Sequence, residues 1–232
     1  MEFERKVNKI SDFLYSIEEG VVRWFVLIGD EKAVVIDTGL AGEGALKLAE
    51  TLTDRELILL NTHGDVDHVS GNADFESVYI SEEDYKDFNL SEKYPDLKPM
   101  FVTDGQIIEL GNRTLEIIKV KGHTKGSIAV LDKTGRSLYA GDTVSDDKIF
   151  MFGHGRVPEA FGDSLKKLIA RSKEFDRIYA AHGTCELGKN YAAENLADWD
   201  KVYSGKVMSE DFDFFGEPAK AYKTDSCVFV LK

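Results

Sequence analysis

No stretch of this 232-residue chain approaches the roughly 18 consecutive apolar residues that a membrane-spanning helix needs, so no membrane partner is expected. Cysteine is scarce: Cys185 and Cys227 are the two present, too few for a disulfide framework, and a reduced, cytoplasmic protein is the expectation. Positive charge is in deficit, with 29 Lys and Arg against 42 Asp and Glu and a formal net charge of −13. A phosphate-backbone binder needs a basic footprint, so no nucleic-acid partner is expected either. There are 4 prolines, and the 20 glycines are scattered as turn punctuation. With no repeat, low-complexity tract or Pro/Ser-rich linker, one continuous domain over residues 1–232 is expected. The opening Met1 to Lys6 has no apolar segment behind a basic region, so a secretory leader is not expected.

What is there is an ordinary globular composition, 43% hydrophobic and 31% charged, which excludes a disordered tail. Apolar runs predict strands at Val21 to Ile28, Ala33 to Ile36, Leu57 to Leu60 and Val78 to Ile80. Further strands are predicted at Gln106 to Leu110, Thr114 to Val120, Ser127 to Leu131, Ser137 to Ala140, Arg177 to Ala180 and Cys227 to Leu231. Helical spacing marks Gly44 to Leu52, a capped start at Ser81, Asp163 to Glu174 and Tyr191 to Tyr203. Strands in runs with helices between them point to α/β or α+β layers.

The chemistry is concentrated in five histidines, His63, His68, His123, His154 and His182. Four of them sit where a predicted strand gives way to a loop, the place where a rigid scaffold presents functional side chains. The string His63-Gly64-Asp65-Val66-Asp67-His68 packs two imidazoles and two carboxylates behind an apolar strand. Imidazole and carboxylate together suit zinc, iron and manganese. Gly122-His123-Thr124, Gly141-Asp142 and His182-Gly183 each close a further strand. Histidines from separate strands plus a lone carboxylate are what a two-metal site requires.

In order and context this set resembles the metallo-β-lactamase superfamily of metallohydrolases, which carries Thr-His-x-His-x-Asp-His, Gly-His-Thr-x-Gly-Ser, Gly-Asp and a late His. Here the counterparts are Thr62 to His68, Gly122 to Ser127, Gly141-Asp142 and His182-Gly183, with Ile36-Asp37-Thr38-Gly39 matching the strand and turn upstream. The resemblance covers about residues 10 to 185. It implies an α+β, four-layer αββα sandwich. It also implies one metal on His63, Asp65 and His123, another on Asp67, His68 and His182, and Asp142 bridging. Asp37 would hold a ligand histidine or a loop from behind. Asp67 would orient the nucleophile or carry its proton.

Asp65 departs from the family pattern, standing where a second histidine is usual. The flavodiiron branch has a glutamate here but lacks the His68 counterpart as a ligand. A carboxylate makes the first position harder and more anionic, which opens a zinc site to iron or manganese. Two divalent ions, zinc foremost, are therefore expected. They would lower the pKa of a shared water from near 16 to roughly 7, so that the resulting hydroxide attacks a small ester, thioester, lactone or phosphoester. An iron-dependent redox protein and a non-catalytic metal binder of the same fold are the competing readings.

Substrate choice is expected between the motifs. Residues 82 to 101 carry Tyr85, Phe88, Tyr94, Met100 and Phe101, and residues 144 to 161 carry Phe150, Met151, Phe152, His154, Arg156 and Phe161. Phe152, His154 and Arg156 are the candidate contacts to a small-molecule substrate; the same aromatics could equally pack the core. Antibiotic hydrolysis is not expected, because fold alone does not confer it. A glutathione-thioester substrate would call for a basic patch that the sequence does not display. Oligomeric state is not legible.

Overall fold

A computed structural model describes residues 4–232; the first three residues, part of the opening read for a leader, lie outside the described residues. The first sheet runs in chain order through β1 (Lys6–Ser11), β2 (Leu14–Glu19), β3 (Val22–Ile28), β4 (Lys32–Ile36), β5 (Glu56–Leu60), β6 (Ser77–Ile80) and β7 (Lys98–Phe101). Strands β1 to β4 form an antiparallel meander, and β4 to β7 pair in parallel. The parallel half carries the short helices α1 (Ala45–Glu50), α2 (Val66–Val69), α3 (Glu82–Asp87) and α4 (Leu90–Lys93).

The chain continues through β8 (Ile107–Glu109), β9 (Thr114–Lys119), β10 (Ile128–Asp132), β11 (Ser137–Tyr139), β12 (Lys148–Phe150) and α5 (Pro158–Ala170). It ends with β13 (Arg177–Tyr179), β14 (Glu186–Gly188), α6 (Tyr191–Tyr203), β15 (Glu210–Phe214), β16 (Glu217–Lys223) and β17 (Val228–Leu231). The second sheet has the order β14-β13-β11-β10-β9-β8, and a small third sheet the order β12-β17-β16-β15.

Side-chain alternation sorts each strand's apolar residues into two cores. Val34 and Ile36 of β4 join Phe25 and Leu60 in packing on Leu115, Ile117, Val130 and Tyr139 of the second sheet. Val35, between them, faces the other way, with Leu59 and Val78 against Ala45, Ala49 and Leu90. On the far side, Ile118, Ala129 and Leu138 meet Phe161, Leu165 and Leu168 of α5 and Trp199 of α6. β4 and β5 are covered on both faces, which is why they read as continuous apolar runs rather than alternating ones. The layers are helix, sheet, sheet, helix: the four-layer αββα sandwich that the motifs imply.

Three elements differ from the sequence expectation. The helix predicted at Asp163 to Glu174 is α5, which begins at Pro158 and ends at Ala170. Proline in the first helical turn needs no N–H partner, and Phe161 extends the apolar face toward the N-terminus. His68 does not lie in a loop, because Val66–Val69 closes into one helical turn. The segment between α6 and β17 is a hairpin of β15 and β16, turned at Phe215 and Gly216 with φ of 52° and 90°. Its Glu-Asp-Phe-Asp-Phe strand carries acidic residues at three of five positions and lacks the β-branched signature of a buried strand. Among the described residues no helix is long and apolar enough to cross a membrane.

Candidate metal centre

Loops following β5, β9, β11 and β13 deliver His63, His123, Asp142 and His182 to one point, and the turn of α2 adds Asp67 and His68. Asp65, at the N-cap of that turn, completes the set. His63, Asp65 and His123 form one group whose ligand atoms lie within 4.8 Å of one another, and Asp67, His68 and His182 form a second. Asp142 stands between them: its Oδ1 is 3.2 Å from His68 Nε2, and its Oδ2 is 3.3 Å from His182 Nε2 and 3.5 Å from His123 Nε2. In the first group Asp65 Oδ2 is 3.0 Å from His123 Nε2 and 3.4 Å from His63 Nε2. In the second, Asp67 Oδ2 is 3.4 Å from His182 Nε2 and 3.9 Å from His68 Nε2.

The imidazoles are aimed from behind. His68 Nδ1–H donates to Asp37 Oδ2 at 2.9 Å, and His182 Nδ1–H donates to the Val21 carbonyl at 2.7 Å. Thr62 Oγ1 gives its only proton to Asp37 Oδ2 at 2.7 Å, so at the 3.0 Å contact it can only accept from His63 Nδ1–H. Each tether occupies Nδ1 and turns Nε2 inward, the orientation that second contacts impose on ligating histidines. His63 Nε2, His68 Nε2 and Asp142 Oδ1 are buried there without a hydrogen-bond partner. Buried polar atoms are costly when unpaired, so an arrangement of facing nitrogen and carboxylate donors with idle lone pairs fits divalent cations.

Asp37 adopts φ 65° after β4, a costly conformation for a non-glycine residue, and three hydrogen bonds overdetermine it: Thr62 N, Thr62 Oγ1 and His68 Nδ1. Gly141 precedes Asp142 at φ 52°, where a Cβ would stand 2.8 Å from Thr62 Oγ1; only glycine lets this loop cross that close. A residue unremarked in the sequence, Asp84, joins two of the motifs. Fully buried in α3, it accepts from Gly64 N (3.0 Å), Gly126 N (2.8 Å) and Thr124 Oγ1 (2.7 Å), locking the His63 loop to the His123 loop. In the sequence it reads only as an acid in the first turn of a helix behind Ser81.

The electrostatics are those of carboxylates waiting for positive charge. Burial pushes the Asp142 carboxyl up, but His182, His68 and His123 outweigh it and hold it well below the carboxylate range. Burial lowers His182, and the Asp142 charge overrides this and lifts it to about 9. His68 is raised well above its usual value in the same way by Asp142, Asp37 and Asp67, against burial. His123 goes down to about 4, through burial first and then the charge of Arg156.

Arg156, expected from the sequence as a substrate contact, is instead engaged with Asp65. Its Nη1 and Nη2 donate to Asp65 Oδ1 at 3.0 Å and Oδ2 at 2.6 Å, a bidentate pair across 91 residues. The first position is therefore not the more anionic one that Asp65 alone implies, because a guanidinium cancels its charge. Burial raises the Asp65 carboxyl, but hydrogen bonds from His123 and His63 and the Arg156 charge keep it well below its ordinary range.

A sequence model of the metallo-beta-lactamase superfamily matches residues 17–182, which contain every motif just described. The chain belongs to the metallo-beta-lactamase superfamily. Within that superfamily it is 32% identical over 178 residues to a hydroxyacylglutathione hydrolase of Nostoc punctiforme, covering 68% of this chain and 63% of that protein. It is 28% identical over 193 residues to an acyl-coenzyme A thioesterase of Homo sapiens, covering 64% of this chain and 68% of that protein. The chain spans only 63% and 59% of the hydroxyacylglutathione hydrolases of Nostoc punctiforme and Crocosphaera subtropica. Among solved structures, a metallo-beta-lactamase from Pontibacter korlensis superposes with a TM-score of 0.71 at 19% identity, covering 85% of this chain and 99% of that one. That likeness shows the shared fold.

The aromatics between the superfamily motifs divide. Tyr94, Met151 and Phe161 are buried in the cores, whereas Met100 and Phe101 are exposed. Phe152 packs with Phe150 against Phe214 of the terminal hairpin, at ring separations of 5.8 and 5.0 Å from Phe214. His154 lies on the exposed loop beside Arg156 and is 2.6 Å from the Asp87 carbonyl through Nε2.

Proposed function

We propose that the chain is a dinuclear metallohydrolase that cleaves thioesters of small molecules. The observation that carries this reading is the convergence of His63, Asp65 and His123 on one side and Asp67, His68 and His182 on the other, with Asp142 shared and His63 Nε2, His68 Nε2 and Asp142 Oδ1 unpartnered. In this reading the first group holds one divalent ion and the second group the other, zinc being the family's usual metal and Asp65 admitting iron or manganese. When bound, such a pair acidifies water and polarises a carbonyl oxygen.

The protein's own side chains do the rest. Asp37 and Thr62 fix the tautomers of His68 and His63 before any metal arrives, so no reorganisation is needed at reaction. Asp67, with its side chain 25% exposed against 8% for Asp142, is the carboxylate placed to orient a nucleophilic water and take its proton at Oδ2. Arg156 is committed to Asp65 and Phe152 to the cluster with Phe150 and Phe214, which leaves His154, exposed on the same loop, as the residue to meet the substrate. Thioesters are favoured because two relatives with different names, a hydroxyacylglutathione hydrolase and an acyl-coenzyme A thioesterase, share that bond.

The test is elemental analysis of protein never exposed to chelator, followed by hydrolysis of a panel of hydroxyacylglutathione and acyl-coenzyme A thioesters. About two metals per chain and turnover on the panel are expected. Asp142→Ala should lose both metal and turnover; unchanged metal content in that variant would overturn the shared-carboxylate placement. A fully loaded protein inert toward every thioester would overturn the substrate class.

A further inference from the structure

The two halves of the centre are charged differently. Among the described residues, the ion-pair partners of Asp67 and Asp142 are histidines only: His68 and His182 for Asp67, and His68, His123 and His182 for Asp142. Asp37 adds a further carboxylate behind His68. Asp65, by contrast, has both oxygens engaged by Arg156. That guanidinium is no loose surface group. It is 11% exposed, its Nε donates to the Phe150 carbonyl at 3.2 Å, and its Nη1 donates to the His154 carbonyl at 3.2 Å. The loop bearing it is fastened to the His123 loop, Val157 N donating to Gly122 O at 2.8 Å and Lys125 N to Gly155 O at 2.9 Å. A fixed cation therefore sits on the one carboxylate that belongs to the first position alone.

We propose that Arg156 is a positioning residue that competes with metal for Asp65, so that the first position binds its ion more weakly than the second and is the exchangeable one. This rests on the reading that both groups hold metal. The physical ground is that two cations on one carboxylate repel in a partly buried site where screening by water is weak. Counting charges, Asp65 with Arg156 is a neutral unit, as the histidine usual at that place would be, but it offers oxygen instead of nitrogen. The second position has Asp67 uncompensated and Asp37 behind it. At limiting metal the chain then carries a single ion on Asp67, His68 and His182.

The test is zinc titration of the metal-depleted full chain against a competing chelator. Wild type should bind in two steps, and His123→Ala should abolish the weaker step and spare the tighter one. Arg156→Gln, which removes the charge, should tighten the weaker step roughly tenfold or more, about 1.4 kcal/mol, and leave the tighter step within about twofold. Arg156→Lys, which keeps the charge, should leave both steps near wild type. An unchanged or weakened first position in Arg156→Gln would show that Arg156 only props the carboxylate, and the proposal fails. If Arg156→Gln does not fold, Arg156→Lys decides alone, since a tenfold shift there separates the affinity from the charge. A wild-type chain that binds no zinc at all overturns the metal reading itself, and this inference with it.

Discussion

Asp37→Asn tests how the centre is held. The carboxylate is buried and accepts from Thr62 N (2.7 Å), Thr62 Oγ1 (2.7 Å) and His68 Nδ1 (2.9 Å). Asparagine tolerates the left-handed φ of 65° better than most non-glycine replacements, so the backbone should survive. The amide keeps one oxygen, which can still accept from Thr62 N. Its NH2 then faces Thr62 Oγ1 and His68 Nδ1, both donors in the native arrangement. Two charge-assisted hydrogen bonds are lost, each worth about 1.5–3 kcal/mol, so the metal-free protein should lose about 2–4 kcal/mol after partial relaxation. If the Thr62 hydroxyl turns to relieve the clash of donors, it must donate to His63 Nδ1, which moves the imidazole proton to Nε2, where a metal would bind. The disturbance therefore reaches both positions, and metal affinity should fall about 10–100-fold at each. Denaturant unfolding of the metal-free protein and chelator-competition titration measure the two effects. An unfolding free energy within about 1 kcal/mol of wild type, together with both affinities within about twofold, would refute the reasoning.

Two further predictions concern the scaffold. Arg113 and Asp132 form a buried pair at 2.5 Å, with side chains 6% and 2% exposed. Arg113→Ala should cost about 3–5 kcal/mol in denaturant melts by stranding a buried carboxylate, whereas a loss under about 1 kcal/mol would mean that water reaches Asp132. On the second sheet, Glu116 is held at about 2 by Arg171 first, then against burial by Lys133. A depressed carboxyl contributes stability above its ordinary value of 4.5 that is lost as pH falls through about 2. The stability difference between wild type and Arg171→Ala should therefore be largest above pH 4.5 and shrink toward pH 2; a difference independent of pH would contradict the pairing.

Much of this protein is legible in one dimension. Tyr191–Tyr203 has its predicted bounds, because a periodic apolar face with a defined start and stop is local information. The runs of β4, β5 and β10 declare buried strands. The metal-loop string announces its chemistry since four donors lie within six residues and few other purposes need that composition. The outermost strands β1 and β2 were not legible, and neither was the β15–β16 hairpin. They mix polar with apolar residues, as in the largely buried Leu-Tyr-Ser-Ile-Glu-Glu of β2, so pairing with a neighbour rather than local pattern decides the conformation.

The motifs name the side chains that converge and, through their order along the chain, the sandwich that brings them together. Tertiary structure decided what those side chains are coupled to. Arg156 reaches Asp65 across 91 residues, and Asp84 clasps Gly64, Thr124 and Gly126 across 20, 40 and 42. In the sequence the aspartate looks like solvated charge in a first helical turn, and the arginine reads as a substrate contact rather than as the partner of Asp65. Their roles exist only because burial removes the water that would otherwise satisfy them, leaving groups distant in sequence to answer their charge.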